Sequence, residues 1–163
     1  MEIFISTFLK IFFLMTPFFV LTMFLTITQD ATIRQRKALA IKVTISVTII
    51  SLILLFFGKH IFSIFGITLD AFRIGAGALL FLTAVDLVKG TEHTSKVGHK
   101  DISQVAVVPL SIPMIIGPGT TGILLVMGAT FDNTSSMFMG SLSLLLAVLS
   151  IGLMLYTSSF LEK

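Results

Sequence analysis

The sequence predicts an all-α membrane protein, a polytopic helical bundle with five spans, on three observations. Hydrophobic residues make up 55% of the 163-residue chain and charged residues only 12%. Mean hydropathy is +1.06. Apolar runs long enough to cross a bilayer, about 20 residues each, recur between short polar segments that carry most of the charge. A soluble domain of this length could not hide so much apolar surface, 16 Phe among it, in one core. The whole chain, 1–163, therefore reads as a single transmembrane domain whose first environment is the lipid bilayer.

The first span runs from Ile3 to Ile27 with Lys10 as its internal charge, placed to snorkel toward an interface. Glu2 stands where a secretory signal would be basic, and no small-residue cleavage site follows, so the segment reads as retained. Polar residues Thr28 to Lys37 lead to a second span, about Ala38 to Phe57, which Gly58-Lys59-His60 should close. Ile61 to Leu69 reads as an interfacial or short re-entrant stretch before a third span, about Ala71 to Val88. After the polar segment Lys89 to Gln104 come a fourth span, Val105 to Ala129, and a fifth, about Met137 to Phe160.

Basic residues sort the connections. Arg34, Arg36, Lys37 and Lys42 flank the first, and Lys89, Lys96 and Lys100 lie in the third; the second has Lys59 and the fourth has none. The positive-inside bias puts the first and third connections in the cytoplasm, the N-terminus outside and, with five spans, the C-terminus in the cytoplasm. The net charge of +3 is thus an orientation signal and gives no reason to expect a nucleic-acid partner. Cysteine is absent, which removes disulfides and thiolate metal sites. His60, His93 and His99 fall in polar connections without metal-site spacing, and no nucleophile elbow, zinc-protease helix, phosphate loop or dinucleotide fingerprint occurs, so no enzyme and no cofactor is expected.

The fourth span breaks its own pattern. Pro109, Pro113 and Gly117-Pro118-Gly119-Thr120-Thr121 lie inside it, where proline removes a donor and clashes one turn back. An opened backbone at membrane depth needs something to use it. Thr16-Pro17 occupies the corresponding place in the first span, which runs the opposite way, and two interrupted helices of opposite direction are the signature of an inverted repeat. The half-helix starting at Gly119-Thr120-Thr121 would aim N–H groups and a positive dipole end at the midplane, where a carboxylate could dock. The hydroxyls of Thr16, Thr120 and Thr121 are placed to cap those donors or touch a polar ligand. The alternative is a proline kink satisfied by Ser111, neighbouring helices and water, with no ligand.

Two charges border or enter the third span, Arg73 and Asp86, and intramembrane charge marks candidates for a charge or proton relay. About 20 Å of helix separates them, too far for a pair. Arg73 has a nearer partner in Asp70 and Asp86 in Lys89. Ala71, Gly75, Ala78, Gly77 and Ala84 supply small positions for close approach of another helix, including one from a second copy in a homo-oligomer.

The run Phe65-Gly66-Ile67-Thr68-Leu69-Asp70-Ala71-Phe72-Arg73-Ile74-Gly75-Ala76-Gly77, then Val108-Pro109-Leu110-Ser111-Ile112-Pro113 and Gly117-Pro118-Gly119-Thr120, resembles the MarC (UPF0056) family of bacterial and archaeal membrane proteins in order and spacing. The resemblance extends from the N-terminus to about Tyr156. Where the family usually has Asn-Pro, this chain has Thr16-Pro17, keeping a hydroxyl and losing an amide. The resemblance implies a multi-pass inner-membrane protein of two inverted three-helix repeats (3+3), with broken helices 1 and 4 meeting centrally. On that frame the first repeat covers about 1–90, a cytoplasmic connection 89–104 and a partial second repeat 105–163, with the sixth span missing from a truncated or naturally shortened member. Some relatives are similar to transporters of small neutral amino acids. The expected site is then Thr16, Pro17, Pro113, Gly117, Pro118, Gly119, Thr120 and Thr121, with H+ or Na+ as the coupling ion. The competing expectation is a non-transporting component that acts by helix packing.

Overall fold

A computed structural model describes residues 2–89, 115–131 and 133–158. Those residues are all-helical: α1 (Glu2–Leu14), α2 (Pro17–Ile27), α3 (Ile33–Phe65), α4 (Leu69–Lys89), α5 (Pro118–Thr130) and α6 (Thr134–Ser158). Among them, Phe4–Ile27, Ile33–Gly58 and Thr134–Ser158 are long and apolar enough to cross a membrane, and Gly119–Thr130 forms a shorter apolar helix. Pro109, Ser111, Pro113, His93 and His99, with most of the segment expected to begin the fourth span, lie outside the described residues.

The first connection is shorter than its polarity suggests. Thr32 and Gln35 form a capping box: the Thr32 hydroxyl accepts from the Gln35 N–H, and the Gln35 carboxamide oxygen accepts from the Thr32 N–H at 2.9 Å. The three clustered basic residues therefore lie in the first turns of α3. Arg36 is buried there, its Nε donating to the Ala31 carbonyl at 3.2 Å and Nη2 to that of Gln29 at 3.0 Å. Those carbonyls belong to the turn that ends α2, where a cation suits the negative end of the helix dipole. Beside it, the Lys37 ammonium stands 5.4 Å from the centre of the Tyr156 ring.

α3 does not stop at Gly58. The apolar span ends at Gly58, close to the expected Phe57, but the helix continues unbroken to Phe65, correcting the helix end at Gly58 and the re-entrant reading of Ile61 to Leu69. The stop is Gly66, in the left-handed region at φ 62°, where the Gly66 and Ile67 N–H groups both turn back to the Phe62 carbonyl. Gly58 serves packing instead. A β-carbon there would meet the Leu125 carbonyl, and one on Gly128 would overlap the Leu55 carbonyl, so α3 and α5 cross backbone to backbone. In lipid, where apolar burial gives helices little reason to associate, such close approach between small residues is what holds them together.

The contacts also fix directions. Beyond the Gly58–Gly128 crossing, Ile115 lies with Val43 and Val47, so α5 runs parallel to α3. α6 packs antiparallel on α3, with Gly152 against Thr44 and Tyr156 against Lys37. The Ser143 hydroxyl donates to the Phe4 carbonyl at 3.3 Å, and both α1 and α2 contact α6, which requires the broken first helix to run parallel to it. α4 packs mainly on α5, antiparallel, with Ala76 facing Gly122 and Leu80 facing Gly119. The small positions Gly75 and Gly77 do not mediate that contact; a β-carbon at either meets nothing among the described residues.

Close crossing makes Gly128 the position most sensitive to added volume. Gly128→Ala should destabilise the protein by about 1–3 kcal/mol through overpacking against the Leu55 carbonyl, while Gly75→Ala should leave stability unchanged or raise it. Thermal unfolding midpoints of the two variants in one detergent check this; equal midpoints would contradict the crossing.

Candidate functional site

The first helix opens at Met15-Thr16-Pro17. Pro17 has no N–H to continue α1, and the Thr16 N–H turns tightly to the Phe13 carbonyl at 3.0 Å. Thr16 adopts φ 46°, ψ 60°, the one non-glycine positive φ among the described residues. A β-branched side chain is strained in that left-handed conformation. The first backbone bond of α2 is from the Val20 N–H to the Thr16 carbonyl, and no side chain caps the Phe18 and Phe19 N–H groups ahead of it.

The second break has the same logic. Pro118 begins α5, Gly117 is its N-cap with no side-chain hydrogen bond, and the first helical bond is Thr121 N–H to the Gly117 carbonyl at 2.9 Å. The N–H groups of Gly119 and Thr120 precede it. With 13, 11 and 13 residues, α1, α2 and α5 span roughly 20, 16 and 20 Å at 1.5 Å per residue, each too short to cross a hydrocarbon core of ~30 Å alone. α1 touches α5. Ile11, Met15 and Val20 around the first break share one buried cluster with Ile115 and Ile116 around the second.

The side chains expected at this site divide. Pro17, Gly119 and Thr120 are buried, Gly117 and Thr121 half-buried, and Thr16 exposed. The Thr120 hydroxyl donates across the turn to the Ile115 carbonyl at 3.1 Å, so its proton is engaged while its oxygen keeps acceptor capacity. Leu80 of α4 lies directly over Gly119, close enough that any β-carbon there would overlap it. Sequence reasoning missed Leu80, whose only signal is its i+4, i+8 spacing from Phe72 and Ala76 on the α5-facing stripe of α4. Pro113 lies outside the described residues, as does the side chain of Asp86.

Arg73 pairs with Asp70 at 3.0 Å, both exposed near the start of α4 and away from the break. Asp86 sits on α4 about 9 Å beyond Leu80 along the axis. A cavity of about 10 Å³ lies among Val43, Val47, Ile115, Val148, Ile151 and Leu155, room for one water at most in an apolar lining. A larger groove, about 230 Å³, opens between the amino ends of α1 and α6 beside Thr7, Asn133, Ser136 and Ser143. Neither is lined by residues 117–121. No group of acidic, histidine or cysteine side chains able to hold a metal occurs among the described residues.

Discontinuous apolar helices that bring their breaks into one buried core define a polytopic helical membrane protein of the broken-helix kind. The chain belongs to the MarC family of integral membrane proteins, which it matches over residues 1–163. A UPF0056 membrane protein of Methanocaldococcus jannaschii is 34% identical over 128 residues, 75% of this chain and 56% of that protein. A Buchnera aphidicola relative is 33% identical over 153 residues, 90% and 71% of the two chains. The Escherichia coli UPF0056 membrane protein YhcE is 29% identical over 142 residues, 83% and 66%. The chain thus spans little more than half the length of the first of these relatives. No solved structure gives a significant match.

The strain at Thr16 has a direct test. Thr16→Asn, which brings in a residue tolerant of the left-handed region, should raise stability by roughly 1 kcal/mol, and Thr16→Val should not. Thermal midpoints read the difference.

Proposed function

We propose that the protein is a secondary transporter of small neutral amino acids or similar zwitterions in the bacterial inner membrane, with its N-terminus outside and C-terminus cytoplasmic. One observation carries the reading: two proline-initiated half-helices, without a side-chain cap among the described residues, open within one buried cluster. Uncapped N–H groups at a helix start are donors for an anion, and a substrate carboxylate fits the amino end of α5. Thr120 contributes an acceptor beside it, and Thr121, Thr16 and Pro17 complete the turn surfaces. Leu80 covers Gly119, so substrate reaches that end when α4 shifts, and movement of one helical group against the other supplies alternating access. H+ or Na+ drives the cycle, with Asp86 and Arg73 of α4 as the candidate relay charges.

A second reading rests on a different face. α4 turns Ile74, Gly75, Gly77 and Ala78 outward, and a non-transporting component would use that face to pack against a second copy. On that reading Gly75→Leu breaks the oligomer and Gly119→Leu has no functional effect beyond its fit against Leu80.

Uptake or counterflow of alanine, glycine and serine by folded protein in liposomes tests the proposal; absence of any flux overturns it. Gly119→Leu should abolish flux. Adding Leu80→Ala relieves the overlap and should restore folding without restoring flux, because the new side chain still fills the ligand's approach to the backbone. Full flux in the folded double variant would remove Gly119 from the site.

A further inference from the structure

We propose that the groove between the amino ends of α1 and α6 is a second, outer binding site for a small zwitterion, occupied before the solute reaches the breaks. The identity of the solute rests on the transport reading above; the groove rests on observations of its own. At about 230 Å³ it far exceeds the ~10–15 Å³ that one water needs, so a solute of several heavy atoms fits. Its lining departs from the surface around it. Elsewhere α1 and α6 turn Leu9, Phe13, Leu146, Leu149 and Leu153 outward, as helices in lipid do. Here Thr7 of α1 and Ser135 and Ser136 of α6 meet beside Asn133. An acyl chain satisfies none of these four hydrogen-bonding side chains, which favours a polar occupant over lipid.

The described lining is polar without being charged, which suits a solute of zero net charge, and it holds both kinds of hydrogen-bonding group. The Asn133 carboxamide can donate to a carboxylate. The Ser136 hydroxyl spends its proton on the Asn133 carbonyl at 2.9 Å, so its oxygen remains an acceptor for an ammonium. Phe4 and Phe131 supply apolar walls for a small side chain. The Phe131 ring lies against Gly140, where any β-carbon would overlap it, so that glycine keeps the wall back from the groove. Ser143, fully buried, ties the two helices together beneath the groove through its 3.3 Å hydrogen bond to the Phe4 carbonyl. From there α1 runs roughly 20 Å to the first break at its carboxyl end. On the proposed orientation the groove opens to the outside, one half-helix away from the breaks.

The experiment uses the full chain in detergent, with L-alanine as probe. The chain contains no cysteine, so Thr7→Cys and Ser136→Cys each introduce a single thiol. Both should react with a small charged methanethiosulfonate reagent, and alanine should slow each reaction severalfold. Leu149→Cys on the lipid face and Leu144→Cys in the dry core should stay unreactive. Protection should persist in the folded Gly119→Leu, Leu80→Ala background, which lacks the site at α5. In liposomes Thr7→Val, which removes the hydroxyl and keeps the volume, should raise the alanine KM at least tenfold with little change in maximal rate. Unreactive thiols, thiols left unprotected in a protein that transports alanine, or protection lost in the double-variant background would each overturn the outer site alone. If the wild type neither transports alanine, glycine or serine nor protects the thiols, the transport reading fails and this inference with it.

Discussion

The close crossing of α3 and α5 fixes the position of everything else. Gly58 and Gly128 let the two backbones touch, and a side chain at either would push the helices apart. Because α5 is short, that crossing near its far end leaves its amino end free to reach back toward Val43 and Val47 through Ile115. The Gly117-Pro118 break is therefore held at depth by packing from both sides of it. Backbone groups opened in lipid would otherwise be untenable, since no water is present to satisfy them.

The same constraint appears twice. The second long span, α3, runs parallel to the half-helix after the second break, and the last described helix, α6, runs parallel to the halves around the first break. Exchanging the broken helices and the long helices maps one pairing onto the other, as inverted repeats do. The details differ in instructive ways. Glycines make the α3–α5 crossing, whereas α6 meets α1 through Ser143, whose one hydroxyl proton is shared between the Met139 carbonyl at 2.9 Å and the Phe4 carbonyl at 3.3 Å. The strain also falls on one side: Gly117 is extended at its cap, and Thr16 is left-handed. Asn would tolerate that conformation better than threonine does.

Much of this was legible in the sequence because it is local. Both breaks are spelled by proline, the spans by apolar length, and the Arg73–Asp70 pair by its i, i+3 spacing. The errors also have local causes. Gly58 beside Lys59 and His60 reads as a helix end, yet glycine at the contact between membrane helices permits close approach, and only the partner helix distinguishes the two uses. Arg36 reads as one more orienting charge, yet it folds back to cap the turn after α2. The cover over Gly119 and the polar groove between α1 and α6 depend on which helices meet, which no single segment encodes.

On the proposed transport reading, that cover is what a ligand would have to displace. Leu80 lies on Gly119, and among the described residues α4, which carries it, is held chiefly by α5 and by an edge-to-face contact of Phe62 with Phe72 near the Gly66 turn. α3, in contrast, is fixed along its length by α5 and α6. An element with one main neighbour shifts at lower cost than one with two, because fewer close contacts must break together. Pivoting α4 about its Phe62–Phe72 end would lift Leu80 while leaving the Gly58–Gly128 crossing intact. On the transport reading, α5 would thus carry the scaffold crossing on one face and the movable cover on another, so the site would open without surrendering the contact that places it.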